Sequence, residues 1–176
     1  MESEDFKLLT GTPAIEFDLP GVDGKTYMLR YFHNREIVVV VFTCNHCPYA
    51  QAYENRLIAI AREFSKKAAF IAVNSNDASK YPQDSFDNMK IRAIEKRYPF
   101  PYLYDETQET ARAYGALVTP HVFVFDSAGK LAYQGGVDDN WENEKGVTRQ
   151  YLMDALTQLS EGAPVARPTA PVAGCS

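Results

Sequence analysis

Cys44 and Cys47, three positions apart with His46 directly before the second, are the residues of this chain best suited to chemistry. A Cys-x-x-Cys pair at a strand–turn–helix junction closes a small disulfide with little backbone movement. One thiol can attack an outside disulfide and the other can resolve the mixed disulfide. A helix starting beside the pair adds partial positive charge and free N–H groups, which favour thiolate over thiol. His46 and Asn45, between the cysteines, are placed to tune that thiolate. A stabilised thiolate leaves more readily, so tuning of this kind makes the pair more oxidising. Two buried cysteines that never react are the plainer alternative. A structural zinc site would need a second ligand pair. The other candidates, Cys175, His33 and His121, stand at no zinc-like spacing, so no metal and no other cofactor is expected.

The elements around the pair follow from pattern. Ile37 to Phe42 is a run of large β-formers without a polar break, which describes a strand buried on both faces at the centre of a sheet. After it, Tyr49, Tyr53, Leu57, Ile60 and Phe64 recur at helical spacing. Pro48 suits the first helical position and would make Cys47 the N-cap. A reactive Cys44 exposed ahead of the helix is also consistent, and the register is open between them. By position Cys44 is expected to be the more exposed, attacking thiol and Cys47 the resolving one. Ala14 to Leu19 and Thr26 to Phe32 predict a hairpin about the Gly21–Lys25 turn. Ala68 to Val73 is a second buried strand. The Asn74-Ser75-Asn76-Asp77 segment after it is either a solvated loop or part of the rim of the same site. Asp84 is expected to cap a helix through Ile94. Thr107 to Tyr114 is a helix closed by Gly115. Thr119-Pro120 opens an apolar strand, 122–125, where proline requires an edge, a first residue or a bulge. A hairpin returns through Lys130 to Gln134, and Thr148 is expected to cap a last helix.

The chain has 176 residues, 45% apolar and 23% charged, with net charge −5. One core suffices for that length. The expected organisation is one domain over 1–161 and a Pro/Ala-rich tail over 162–176. Nothing in the charge points to nucleic acid or to an anionic membrane. The acidic start Met1-Glu2-Ser3-Glu4-Asp5 is unlike a signal peptide. Three cysteines are too few for a secreted disulfide framework. The expected location is cytoplasmic, or periplasmic if a leader has been removed.

Strand, Cys-x-x-Cys, helix, strand, helix, Thr-Pro strand, hairpin and closing helix together resemble the thioredoxin fold, an α/β fold with a central mixed sheet flanked by helices. The N-terminal hairpin and the extra helical stretch near 84–97 resemble its redoxin branch, which includes AhpC/TSA-like and TlpA/ResA-like proteins. The resemblance spans roughly residues 6–160 and rests on Cys44-Asn45-His46-Cys47 and Thr119-Pro120. It implies a cis Pro120 packed against the dithiol, with Thr119 offering backbone to a substrate and Thr43 close by. It implies a thiol–disulfide oxidoreductase acting on protein or small-molecule thiols and disulfides, with a reductant or oxidant partner. Thr43 stands where thioredoxins carry Trp, and Ala50 where TlpA/ResA-like proteins carry Glu. The acid–base carboxylate is therefore unassigned, with Glu54, Asp77 and Asp138 as candidates.

Two other classes remain in view. Phe42-Thr43 and Cys47-Pro48 resemble the Phe-Thr and Cys-Pro of peroxiredoxins, which implies a thiol peroxidase with antioxidant activity. Their threonine and cysteine are one residue closer than Thr43 and Cys47. Sco-like copper proteins share the fold, and His121 would then be a third ligand for Cu(I) beside two thiolates. Cys175 is either a free thiol on a disordered tail or an accessory thiol on a tail that folds back to exchange with the dithiol.

Overall fold

A computed structural model describes residues 5–175; the stretch 1–4 and position 176 lie outside the described residues. The apolar run forms the central strand β3 (Ile37–Thr43), and all of it is buried. Beside it lie β4 (Ala68–Asn74), parallel, and β6 (His121–Phe125), antiparallel. β5 (Tyr102–Tyr104) and β7 (Leu131–Gly135) complete a mixed five-stranded sheet in the order β5-β4-β3-β6-β7. Val39 and Val41 face a core with Tyr53, Leu57 and Ile60 of α1 (Pro48–Glu63) and Leu152 and Leu156 of α4 (Tyr151–Ser160). Val38, Val40 and Phe42 face the other way, onto Leu19, Leu29 and Tyr114 of α3 (Glu109–Tyr114). A strand covered on both sides has no use for a polar face, which is why β3 shows no alternation. This is the α/β arrangement that the thioredoxin-like resemblance implies.

The N-terminal hairpin is present but shorter than its pattern suggests. β1 (Asp18–Pro20) and β2 (Thr26–Met28) form a separate two-stranded sheet, joined to the main one where Gly21 bridges Leu103 and the Val22 N–H donates to the Tyr102 carbonyl. From Leu29 to Phe32 the chain turns into a 3-10 helix. Residues i and i+3 eclipse in that geometry, so Leu29 and Phe32 both reach the core; in a strand they would point apart.

Two expected caps are corrected. The helix α2 (Phe86–Lys96) is capped by Ser85, whose hydroxyl accepts from the Asn88 N–H at 3.2 Å; Asp84 points inward instead. Thr148 bonds Asp139 through its N–H and its hydroxyl, and α4 starts three residues later without a side-chain cap. Gly115 closes α3 in the left-handed region, as expected.

The tail is ordered by backbone pairing. The Gln134 N–H donates to the Pro168 carbonyl at 3.0 Å, and the Ala170 N–H to the Gln134 carbonyl at 3.2 Å, so the tail covers the outer edge of β7. Ala170 and Val172 are buried. Among the described residues no helix is long and apolar enough to cross a membrane.

The loop after β7 is fastened by a buried ion pair. Arg56 donates to Asp138 at 2.9 Å and to the Asn140 and Trp141 carbonyls; the Tyr53 hydroxyl donates to the same carboxylate at 2.9 Å. Asp138→Ala would leave the Arg56 guanidinium buried and uncompensated. We expect a loss of about 3–5 kcal/mol, read as a lower urea midpoint at unchanged slope. A loss below about 1 kcal/mol would mean that the pair is solvated and contributes as little as surface pairs do.

Candidate active site

β3 carries Thr43 and Cys44 to its carboxyl end and α1 begins at Pro48, so Asn45, His46 and Cys47 form the entire connection. Proline at the first helical position leaves Cys47 as the N-cap. That settles the register the sequence left open. Cys44 and Cys47 are both fully buried, so the expected greater exposure of Cys44 does not hold in this arrangement. The helix sets in only after Cys47, and the tail lies over the pair. Cys47 Sγ lies 2.6 Å from Cys175 Sγ, and the three cysteines are free thiols.

Thr119 brackets the pair from β6's side. Its hydroxyl is 3.5 Å from Cys44 Sγ, its carbonyl oxygen 3.6 Å from Cys47 Sγ, and the Thr119–Pro120 peptide bond is cis. Thr43, by contrast, is the last residue of β3, paired with Asn74 and only 5% exposed.

The carboxylate at this site is Asp84, fully buried. Its Oδ1 accepts the Asn45 N–H at 2.7 Å and the His46 N–H at 3.2 Å. Its Oδ2 accepts from the Asn76 amide at 2.9 Å and pairs with His46 Nδ1. The His46 ring stacks on Tyr81, centroids 4.6 Å apart. Asn45 ties the loop down from the other side: its amide nitrogen donates to the Gln83 carbonyl, and its oxygen accepts from the Tyr102 hydroxyl at 2.8 Å. Asn74 holds the Asp84 carbonyl. The polar segment after β4 therefore does rim the site through Asn74 and Asn76.

None of the three carboxylates picked from the sequence binds the Cys44–Cys47 loop. Glu54 joins Arg92 and Tyr98, clamping α2 to α1. Asp77 is bonded to Ser79 on the surface. Asp138 is held by Arg56. Its place directly before a helix makes a cap the simpler local reading of Asp84. The usable signal was redundancy: Ser85, with Asn88 three residues on, already supplies a cap, which leaves Asp84 for other work.

Cys44, His46 and Asp84 gather their donor atoms within 4.8 Å of one another. Asp84, however, already accepts four N–H groups, so little of its lone-pair capacity is left for a cation. His121 is absent from that cluster. It lies wholly buried between Phe6 and Phe123, and burial pushes its pKa down to about 4. Packed on rings in a buried strand and outside that cluster, it is placed as a structural residue rather than as a third ligand.

Charge is distributed unevenly over the sulfurs. The Cys47 thiol is pulled down to about 4, first by the hydrogen bond from Cys44 and further by those from Cys175 and the Ala50 N–H, against the cost of burial. The same bond to Cys47, together with burial and the charge of Asp84, pushes Cys44 far up. Cys175 rises to about 11, through burial and its bond to Cys47. Burial and the shared hydrogen bonds thus favour a single charge on the pair and draw it toward Cys47.

Comparison with known proteins adds the lineage. Residues 10–134 match the model of the AhpC/TSA family. An uncharacterized conserved protein of Geobacillus kaustophilus is 41% identical, with 93% of this chain and 90% of that one covered at a TM-score of 0.87. A hypothetical protein of Sinorhizobium meliloti is 33% identical, over 96% and 93%, with a TM-score of 0.90. The pneumococcal exposed lipoprotein thioredoxin of Streptococcus pneumoniae is similar at 26% identity, over 68% and 87%, with a TM-score of 0.58. A search of curated proteins finds no match.

The Cys47 shift has a consequence for stability. Its folded pKa of about 4 lies below the unfolded value of about 8.5. The stabilisation is complete above about pH 8.5 and drains away as pH falls toward about 4. The reduced protein should gain stability from pH 5 to pH 8 more steeply than Cys47→Ser, a variant that keeps a competent N-cap. Parallel curves in urea titrations would mean an ordinary thiol at position 47.

Proposed function

The chain belongs to the AhpC/TSA family, and on that footing we propose that it is a thiol–disulfide oxidoreductase whose working pair is Cys44 and Cys47. The observation that carries it is that Cys47 is the N-cap residue of α1 and that both thiols meet the cis Thr119–Pro120 segment, the Thr119 hydroxyl 3.5 Å from Cys44 Sγ and its carbonyl oxygen 3.6 Å from Cys47 Sγ. A helix N-terminus and thiol donors together stabilise a thiolate. Cys47 is thus the attacking sulfur, and Cys44 behind it the resolving one, the reverse of the order expected from position.

The Cys47 thiolate attacks one sulfur of a substrate disulfide, forming a mixed disulfide and expelling one substrate thiolate, which takes a proton from solvent. Cys44 then attacks Cys47 Sγ, releasing the second substrate thiol with the proton Cys44 gives up, and the Cys44–Cys47 disulfide carries the oxidation. Asp84 and His46 act as positioning residues: they hold the loop at its two N–H groups and keep a negative charge near Cys44, which favours its protonated form. The substrates are disulfides of proteins or small thiols. The stabilised thiolate sets the potential above the roughly −270 mV of thioredoxin.

A second reading is favoured by the same sulfur. A lone low-pKa thiolate at a helix N-terminus can also attack a peroxide, giving a Cys47 sulfenic acid and an alcohol or water; Cys44 condenses with it to the disulfide and water. Peroxide consumption coupled to a dithiol reductant separates the two.

The roles are tested with Cys175 replaced by alanine, so that only the pair remains. In that background Cys44→Ser should accumulate a mixed disulfide on Cys47 with a glutathione- or peptide-based disulfide, and Cys47→Ser should form none. A mixed disulfide trapped on Cys44 in the Cys47→Ser protein would restore the opposite order.

A further inference from the structure

The backbone edge that an oxidoreductase would offer to a substrate is already occupied by this chain. The Thr119 N–H donates to the Cys175 carbonyl at 2.8 Å in an antiparallel bridge, and Cys175 Sγ then falls 2.6 Å from Cys47 Sγ. The approach depends on glycine. A methyl group on Gly174 would stand 2.1 Å from the Thr119 carbonyl oxygen and 2.7 Å from its carbon, closer than any side chain can come. A second close approach fixes the tail upstream: a methyl on Gly135 would meet the Ala170 carbonyl oxygen at 2.4 Å, and Gly135 itself has φ +149°. Two separate sites of backbone contact, each open only to glycine, together deliver one thiol to one sulfur.

Resting on the exchange role of Cys44 and Cys47, we propose that Cys175 is a third exchange-active thiol, and that the strand carrying it is a tethered substrate to which Cys47 passes the disulfide. The Cys175 thiolate attacks Cys47 Sγ of the Cys44–Cys47 disulfide. The Cys47–Cys175 bond forms, the Cys44–Cys47 bond breaks, and Cys44 leaves as a thiolate that takes up the proton Cys175 lost. No electrons enter or leave in this step.

The transfer brings the oxidation to the surface. Cys44 and Cys47 are fully buried, whereas Cys175 is partly exposed. It opens on a cleft of about 270 Å³ that it lines with Asn76, Arg112, Leu117 and Thr119. An outside dithiol entering there attacks Cys175 Sγ, with Cys47 as the leaving thiolate. The partner's second thiol then frees Cys175, and the partner departs as a disulfide with two electrons given to the protein. The partner class is therefore a dithiol, and an incoming substrate disulfide has to displace the 174–175 segment from Thr119 to reach Cys47.

The full chain carrying Cys44→Ser is the test. It is reduced, oxidised with diamide, alkylated and mapped by peptide mass spectrometry. The expected product is a monomer with a Cys47–Cys175 disulfide, formed at a rate independent of protein concentration. Gly174→Ala in the same background should slow that bond about a hundredfold, as a misplacement of reacting groups by ~1 Å does. Two free thiols, disulfide-linked dimers alone, or an unchanged rate with Gly174→Ala would overturn the relay. Cys175→Ala tests the underlying pair separately. If it still closes Cys44–Cys47, the oxidoreductase reading stands whatever the tail does; if it does not, that reading falls, whatever Cys44→Ser shows.

Discussion

Everything at this site is arranged about one sulfur atom, Cys47 Sγ. Its residue is the N-cap of α1, and around the sulfur lie Cys44, the Ala50 N–H and, at 2.6 Å, Cys175 Sγ. A buried thiolate without such donors would be costly, because burial disfavours the charged form. Here burial and hydrogen bonding oppose each other and the bonds prevail. Since the helix must start directly after this residue, Pro48 is as much a part of the chemistry as the thiol. The cost falls on Cys44, which stays protonated because it donates to its neighbour and sits near a second negative charge.

That second charge, Asp84, is the frame. A buried carboxylate costs several kcal/mol unless it is hydrogen-bonded. Asp84 accepts four N–H groups, from Asn45, His46 twice and Asn76, each bond to a charged group being worth about 1.5–3 kcal/mol. Two of the four are backbone groups of the Cys44–Cys47 connection, so satisfying the carboxylate also fixes the conformation of the loop. The end of β4 contributes Asn74, the segment after it Asn76, and the turn before α2 Gln83, so these pieces and the Cys44–Cys47 connection are bound into one surround.

Legibility in the sequence followed the range of the interactions. The unbroken apolar run of β3 gave away its two-sided burial, and the Cys-x-x-Cys gave away the chemistry, because both are local patterns. Thr119-Pro120 could be placed through the family resemblance. Asp84 could not, since its partners lie 8 to 39 positions away and a carboxylate before a helix has a simpler local explanation. Ser85 took that cap. The tail was equally opaque: its Pro- and Ala-rich composition suits an extended segment whether or not an edge exists to receive it, and the edge was made by β7 and Thr119. The exposure of the thiols was not legible either, because it depends on where the helix begins, a choice of a few residues made by Pro48, and on the tail that covers the pair.

The tail gives the site its second constraint: the negative sulfur is screened from solvent by a segment that itself carries a thiol. A charge so placed should be visible directly. Ultraviolet titration of thiolate absorbance in the reduced full chain, set beside the Cys47→Ser protein, measures it. One thiolate should persist in the full chain from neutral pH down to about 4 and be missing from the variant. Absorbance that rises only near pH 8.5, or that titrates identically in the two proteins, would show that Cys47 is not the sulfur on which this site is built.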